Sequence, residues 1–218
     1  MNLDRLSKSI SWVLSLVFHP LLVPIYGLLI YKFAFDFAYS MVQVTPEMWL
    51  CAVFFTLVVP VVGIYWLKLK GMVKSFTMEE RQERRIPYII TMASWGVGGY
   101  IIAKEYGLTV GWFLMGAGAM IGILDLINVF WKMSAHLMAW GGLTGAVACV
   151  CLTAKINPTL EMVLGREHSG LMIGLVLISG GLGYARIDLG AHSFMQTLWG
   201  FLLGFLGLFF ILLFGIFL

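Results

Sequence analysis

The sequence predicts an all-α, polytopic integral membrane protein, a helical bundle of six or seven transmembrane helices forming one domain over residues 1–218. Three observations carry this expectation. Only 11% of the residues are charged and 61% are hydrophobic, whereas a soluble domain carries about 25% charged residues and needs them to face water. The mean hydropathy is +0.94. Apolar runs recur along the whole chain at close to the ~20 residues that a helix needs to cross a bilayer.

The runs fall at 11–31, 48–67, 87–103, 108–131, 137–153, 170–184 and 197–218. The first contains Pro20 and Pro24, each of which removes a helix hydrogen bond. If that run is broken or re-entrant, six crossings remain; otherwise there are seven. It is too long for a removed signal peptide and lacks a small-residue cleavage site, so it is expected to persist as the first span. The sixth run is short and is expected to extend into the polar residues flanking it. Glycines recur inside the later runs, among them Gly141, Gly145, Gly200 and Gly204, a pattern that lets helix backbones approach closely in lipid.

Composition also excludes some functions. The net charge is +3, and no run of Lys and Arg is interleaved with aromatics, so no nucleic-acid partner is expected. Cys51, Cys149 and Cys151 all lie in apolar runs; they read as buried small residues and not as a disulfide frame or zinc site.

Polar residues concentrate in three places, 68–87, 128–136 and 186–196. Two runs separate the first from the second, and two more separate the second from the third. An even number of crossings returns the chain to the same side, so all three clusters are expected at one membrane face. Lys68, Lys70, Lys74, Arg81, Arg84, Arg85, Lys132 and Arg186 would share that face, against Lys32, Lys104, Lys155 and Arg166 on the other. The positive-inside rule then favours a cytoplasmic site.

Each cluster has a plain reading beside a chemical one. In 78–87, Arg81, Arg84 and Arg85 are spaced to share a helix face, and Pro87 suits the first turn of the next span; the plain reading is a charged interfacial helix. In 128–136, Ser134 is placed to cap a helix, with Lys132 and His136 beside it; together they make an anion site, or else a cap, an interfacial lysine and a packed histidine. In 184–196, Arg186 precedes His192 by six residues, and Gln196 lies one helical turn beyond the imidazole. The alternative there is a polar loop before the last span. Taken together, the clusters supply the groups that phosphoryl transfer needs: dispersed cations for the oxygens, one imidazole to attack phosphorus and a second to protonate the leaving oxygen. No metal or other cofactor is required.

At this point the chain resembles the type 2 phosphatidic acid phosphatase superfamily, whose pattern is K-x6-R-P, then P-S-G-H, then S-R-x5-H-x3-D. Met133-Ser134-Ala135-His136 is similar to the second element. Ala185-Arg186, His192 and Gln196 match the spacing of the third, with Gln in place of Asp and Gly200 trailing. The first element is matched least well: neither Arg84 nor Arg85 directly precedes Pro87, and Arg81 or Lys132 would stand in for the lysine. The resemblance implies that His192 is the nucleophile, forming a phosphohistidine, and that His136 is the general acid. Arg186, Ser134 and Arg84 or Arg85 would bind phosphate, and Gln196 would orient His192. It also implies a lipid phosphate substrate in a bacterial inner membrane.

Three other classes of protein compete with this one. A CDP-alcohol phosphotransferase would need several aspartates on helices to hold metal, and only Asp125 and Asp188 lie in or beside the central spans. A lipid-phosphate transporter or binding protein would keep the arginines without needing both His136 and His192. A structural scaffold would not concentrate its polar residues in this way. His19, before Pro20, and His168 read as non-catalytic.

Overall fold

The computed structural model describes residues 3–35, 44–75, 78, 80–156 and 168–217. These form nine α-helices, with no strand among the described residues. They are α1 (Leu3–Val17), α2 (Val23–Ile30), α3 (Pro46–Val53), α4 (Val59–Leu69), α5 (Arg85–Glu105), α6 (Leu108–Phe130), α7 (Ala135–Ile156), α8 (Ser169–Asp188) and α9 (Phe194–Phe217). A 3-10 turn, Pro20–Leu22, joins α1 to α2, and a π turn, Phe54–Val58, joins α3 to α4. Counted through those turns, seven helices are long and apolar enough to cross a membrane, the first running Leu3–Ala34. The protein is therefore an all-α integral membrane protein with seven spans. The first run is indeed broken, yet its two parts together still have spanning length. As expected, the short sixth run extends at both ends, to Ser169 and Asp188.

The outward faces carry large apolar side chains, including Phe33, Leu50, Phe130, Leu177 and Phe214. Monomeric soluble proteins rarely expose apolar surface on this scale, whereas lipid covers it at no cost. Of the cysteines, Cys149 is buried, but Cys51 and Cys151 are only half-buried because they sit on helix faces that turn outward; none of the three is in a disulfide.

The chain packs as two compact units, one made of Met1–Val23 with Lys132–Phe210 and the other of Pro24–Trp131 with Ile211–Leu218. In the second unit, Pro60 explains the π turn. It has no N–H to offer the Thr56 carbonyl one turn back. That carbonyl instead accepts from Trp95 Nε1 at 3.1 Å, and the neighbouring Phe55 carbonyl accepts from the Ser94 hydroxyl. Side chains of α5 thus satisfy backbone groups that lipid cannot. Helices α5 and α6 then close tightly: a methyl on Gly99 would lie 2.7 Å from the Met115 backbone nitrogen.

In the first unit the equivalent device sits at Pro20. The Ser15 carbonyl accepts from His136 Nε2 at 3.1 Å, and the Phe18 carbonyl accepts from Trp140 Nε1 at 3.0 Å. His136 and Trp140 are four apart on α7, so one face of α7 seals the break in α1. Helix α7 also packs backbone to backbone against α9. A methyl on Gly141 would overlap the Phe201 carbonyl, one on Gly145 the Phe205 carbonyl, and one on Gly204 the Met138 carbonyl. The glycines are there because nothing larger fits, as close helix contact in lipid requires.

Candidate functional site

The first unit gathers most of the residues singled out in the sequence. Helix α8 ends in a glycine cap. Gly190 takes a left-handed backbone, φ +65°, which costs glycine nothing. Its N–H reaches the Ile187 carbonyl at 2.8 Å, and the Ala191 N–H reaches the Arg186 carbonyl at 3.1 Å, the two bonds that define a Schellman motif. The His192 N–H reaches the same Arg186 carbonyl at 3.2 Å. The six-residue interval between Arg186 and His192 is therefore the length of a capped turn that doubles back on the arginine.

Helix α9 begins with a capping box. The Gln196 N–H donates to Ser193 Oγ at 3.4 Å, and Gln196 Oε1 accepts from the Ser193 N–H at 3.1 Å. This is the reciprocal pattern of Ser-x-x-Gln at a helix start. The same Oε1 is 3.3 Å from His192 Nδ1. Because a backbone N–H must donate, the amide oxygen faces inward, and Nδ1 must then be the protonated nitrogen of a neutral His192. In that tautomer the ring lone pair lies on Nε2. His192 itself is buried.

Ser134 joins these elements from α7. Its hydroxyl accepts from the Leu137 N–H at 3.4 Å, the cap expected from the sequence. Its own N–H donates to the Gln196 carbonyl at 3.2 Å. A methyl on Gly200 would come within 2.8 Å of the Ser134 carbonyl, so the glycine trailing the third cluster is what lets Ser134 approach α9. Ser134 is fully buried and Lys132 is half-buried just before it. Arg186, His19 and His192 all lie within electrostatic range of His136.

Helix α1 enters this cluster as well, which the sequence reading missed. Ser7, Ser11, Ser15 and His19 are each four residues apart, a single stripe on a helix. Asp188 Oδ2 accepts from the hydroxyls of Ser11 at 2.7 Å and Ser7 at 3.1 Å. His19 Nδ1 accepts from the Leu21 N–H at 3.3 Å, and its ring lies edge-on to His136 with centroids 5.4 Å apart. The four-residue spacing was the available signal. Asp188 is the acidic residue nearest the third cluster, and it is engaged with α1. His168, at the start of α8, lies at the opposite end of that helix from Arg186.

The first cluster belongs to the second unit and is less uniform than its spacing suggests. Arg81–Arg84 form a 3-10 turn ahead of α5. Arg84 turns inward, its Nε donating to the Met78 carbonyl at 2.7 Å, and its guanidinium lies within electrostatic range of Tyr88. Arg81 and Arg85 stay exposed, so the three arginines do not share one environment. The difference arises at Arg84 itself, drawn inward by the Met78 carbonyl, since a 3-10 turn alone would eclipse Arg81 and Arg84. The Arg81 carbonyl accepts from Asn128 Nδ2 at 3.0 Å. Lys74 and Glu80 form an exposed ion pair at 2.7 Å, and Glu79 lies outside the described residues. Among the described residues, no group of three His, Cys, Asp or Glu side chains is arranged to hold a metal.

No protein-family model, curated protein or solved structure matches this chain.

Proposed function

We propose that this protein is a lipid phosphatase of a bacterial inner membrane, hydrolysing a phosphate monoester or diphosphate of a lipid without metal through a phosphohistidine. The observation that best supports the reading is the hydrogen bond between His192 Nδ1 and Gln196 Oε1. It puts the ring lone pair on Nε2, the nitrogen that would attack, in a buried imidazole whose backbone N–H bonds the Arg186 carbonyl.

In this reading, His192 Nε2 attacks phosphorus as the P–O bond to the lipid breaks. The leaving oxygen takes a proton from His136. His136 must then start as the imidazolium: its Nε2–H is held by the Ser15 carbonyl, and the second proton, on Nδ1, is the one transferred. Water then attacks the phosphohistidine, giving a proton to His136 and releasing phosphate. Arg186 is the cation beside the two imidazoles and Ser134 lines the same place. Lys132, in the same unit, is a further cation for the head group. Phosphatidic acid, phosphatidylglycerophosphate, a phosphoinositol lipid and a polyprenyl phosphate or diphosphate all present the required group.

The test is phosphate release from these lipids by purified protein in detergent with EDTA. Release by wild type and none by His192→Ala is expected. A strict requirement for divalent metal would overturn the mechanism. Binding with no release from any lipid would favour a lipid-phosphate binding or transport protein instead, for which Gln196 serves only as a cap.

A further inference from the structure

We propose that Ser15 is a phosphate-binding residue, its hydroxyl donating to a phosphate oxygen of the lipid phosphate monoester held beside His136 and His192. The inference rests on the function proposed above and extends the site to the first helix.

The position of Ser15 follows from its neighbours on the same stripe. One turn earlier, Ser11 donates to Asp188 on α8 at 2.7 Å. One turn later, His19 lies against His136 on α7. Ser15 lies between them, and its own carbonyl holds the His136 ring at 3.1 Å. The face of α1 that carries Ser15 therefore faces α7 and α8, next to the imidazole that Arg186 and His192 influence electrostatically.

The hydroxyl itself is anomalous. Ser15 is only 7% exposed, and its Oγ has no hydrogen-bond partner among the described residues. Every other buried serine or threonine among those residues makes a hydrogen bond through its side-chain oxygen. Thr56, Thr91, Thr144 and Ser179 do so by donating to the carbonyl four residues back, at 2.7 to 2.8 Å. That escape costs a helical serine only a rotation about its side-chain bond. Ser15 does not take it, although an unmatched buried hydroxyl is destabilising.

The surroundings say what would match it. With an arginine and three imidazoles close by, a bound group rich in acceptor oxygens and negative charge is the complement. A phosphate monoester offers several oxygens, enough for Arg186, Ser134 and Ser15 at once.

Ser15→Ala and Ser15→Thr are compared with wild type in detergent. The readouts are the Kd for inorganic phosphate by calorimetry, the KM for dioctanoyl phosphatidic acid with EDTA, and the thermal midpoint without ligand. The expectation is a rise of about tenfold in both Kd and KM for Ser15→Ala, as for loss of one hydrogen bond to a charged group. Its unliganded midpoint should equal or exceed that of wild type, since an unmatched hydroxyl is gone. Ser15→Thr, which keeps the hydroxyl, should recover most of the affinity. Unchanged Kd and KM in Ser15→Ala would overturn the inference and leave the phosphatase reading standing. A lower midpoint with unchanged affinity would assign Ser15 a packing role and overturn it equally. If wild type binds phosphate but hydrolyses nothing, catalysis is refuted while the Kd comparison still decides the role of Ser15. If wild type does neither, both proposals fall.

Discussion

Replacing Gln196 with Glu separates two roles that one side chain now fills. Gln196 Oε1 accepts from the Ser193 N–H at 3.1 Å, which caps α9, and lies 3.3 Å from His192 Nδ1, which orients the imidazole. Glu has the same length and suits the same capping box. The change is one of charge at one acceptor. A neutral hydrogen bond is worth about 1 kcal/mol net, and one to a charged group about 1.5–3 kcal/mol. The difference, about 0.5–2 kcal/mol, acts on the reaction only if His192 becomes cationic as Nε2 bonds to phosphorus, because only an interaction stronger in the transition state speeds the step. That corresponds to roughly 2- to 30-fold in kcat/KM. The carboxylate also sits in the first turn of α9, where it should add about 0.3–1 kcal/mol of stability. Phosphate release from dioctanoyl phosphatidic acid in EDTA and the thermal midpoint would be measured on the same preparation. Both should rise. A higher midpoint with an unchanged or lower rate would refute the reasoning, since the cap would have gained a charge that the chemistry did not use.

Two further outcomes test the scaffold. Gly204→Val pushes a side chain into the Met138 carbonyl, so it should cost about 1–3 kcal/mol, as overpacking does, and should reduce phosphate release by disturbing the Ser134–Gln196 link two turns away. Gly181→Ala on α8, with nothing within 4 Å of the added methyl, is the control and should melt no lower than wild type. His136→Phe leaves the Ser15 carbonyl without its donor and should cost about 1–3 kcal/mol; His136→Gln, whose amide can donate, should keep more of that stability while losing activity equally. A His136→Phe variant that melts with wild type would show that the break in α1 is not held by this bond.

How far the sequence could be read varied with the kind of interaction. The spans were legible because lipid imposes length and hydropathy on each helix separately. The Ser134 cap and the Gln196–His192 contact were legible because both are local, within one helical turn. The capping role of Gln196 was equally local, since Ser193 stands three residues before it, and it went unnoticed beside the histidine. Gly190 explains the Arg186–His192 interval only when its left-handed backbone is seen. Arg84 could not be told from Arg81 and Arg85, because its inward turn depends on the Met78 carbonyl. The serines of α1 carried the faintest signal. Serine is common in transmembrane helices and usually bonds its own backbone, so a four-residue spacing without a partner in view says little.

The break at Pro20 ties these observations together. An intact α1 would use the Ser15 and Phe18 carbonyls within the helix, and His136 and Trp140 would have nothing on α1 to bind. Breaking the helix frees two acceptors, and in lipid a freed carbonyl must be satisfied by a neighbour. The neighbour chosen for Ser15 is an imidazole, which fixes the ring by Nε2 and leaves Nδ1 for proton transfer. The same break turns His19 toward His136 and leaves the Ser15 hydroxyl beside the ring without using it. The break at Pro60 is sealed by Trp95 and Ser94, whereas at Pro20 one of the donors is a histidine. That the freed groups fall on His136 and not on an apolar stretch of α7 is the strongest structural reason to treat the first helix as part of the site.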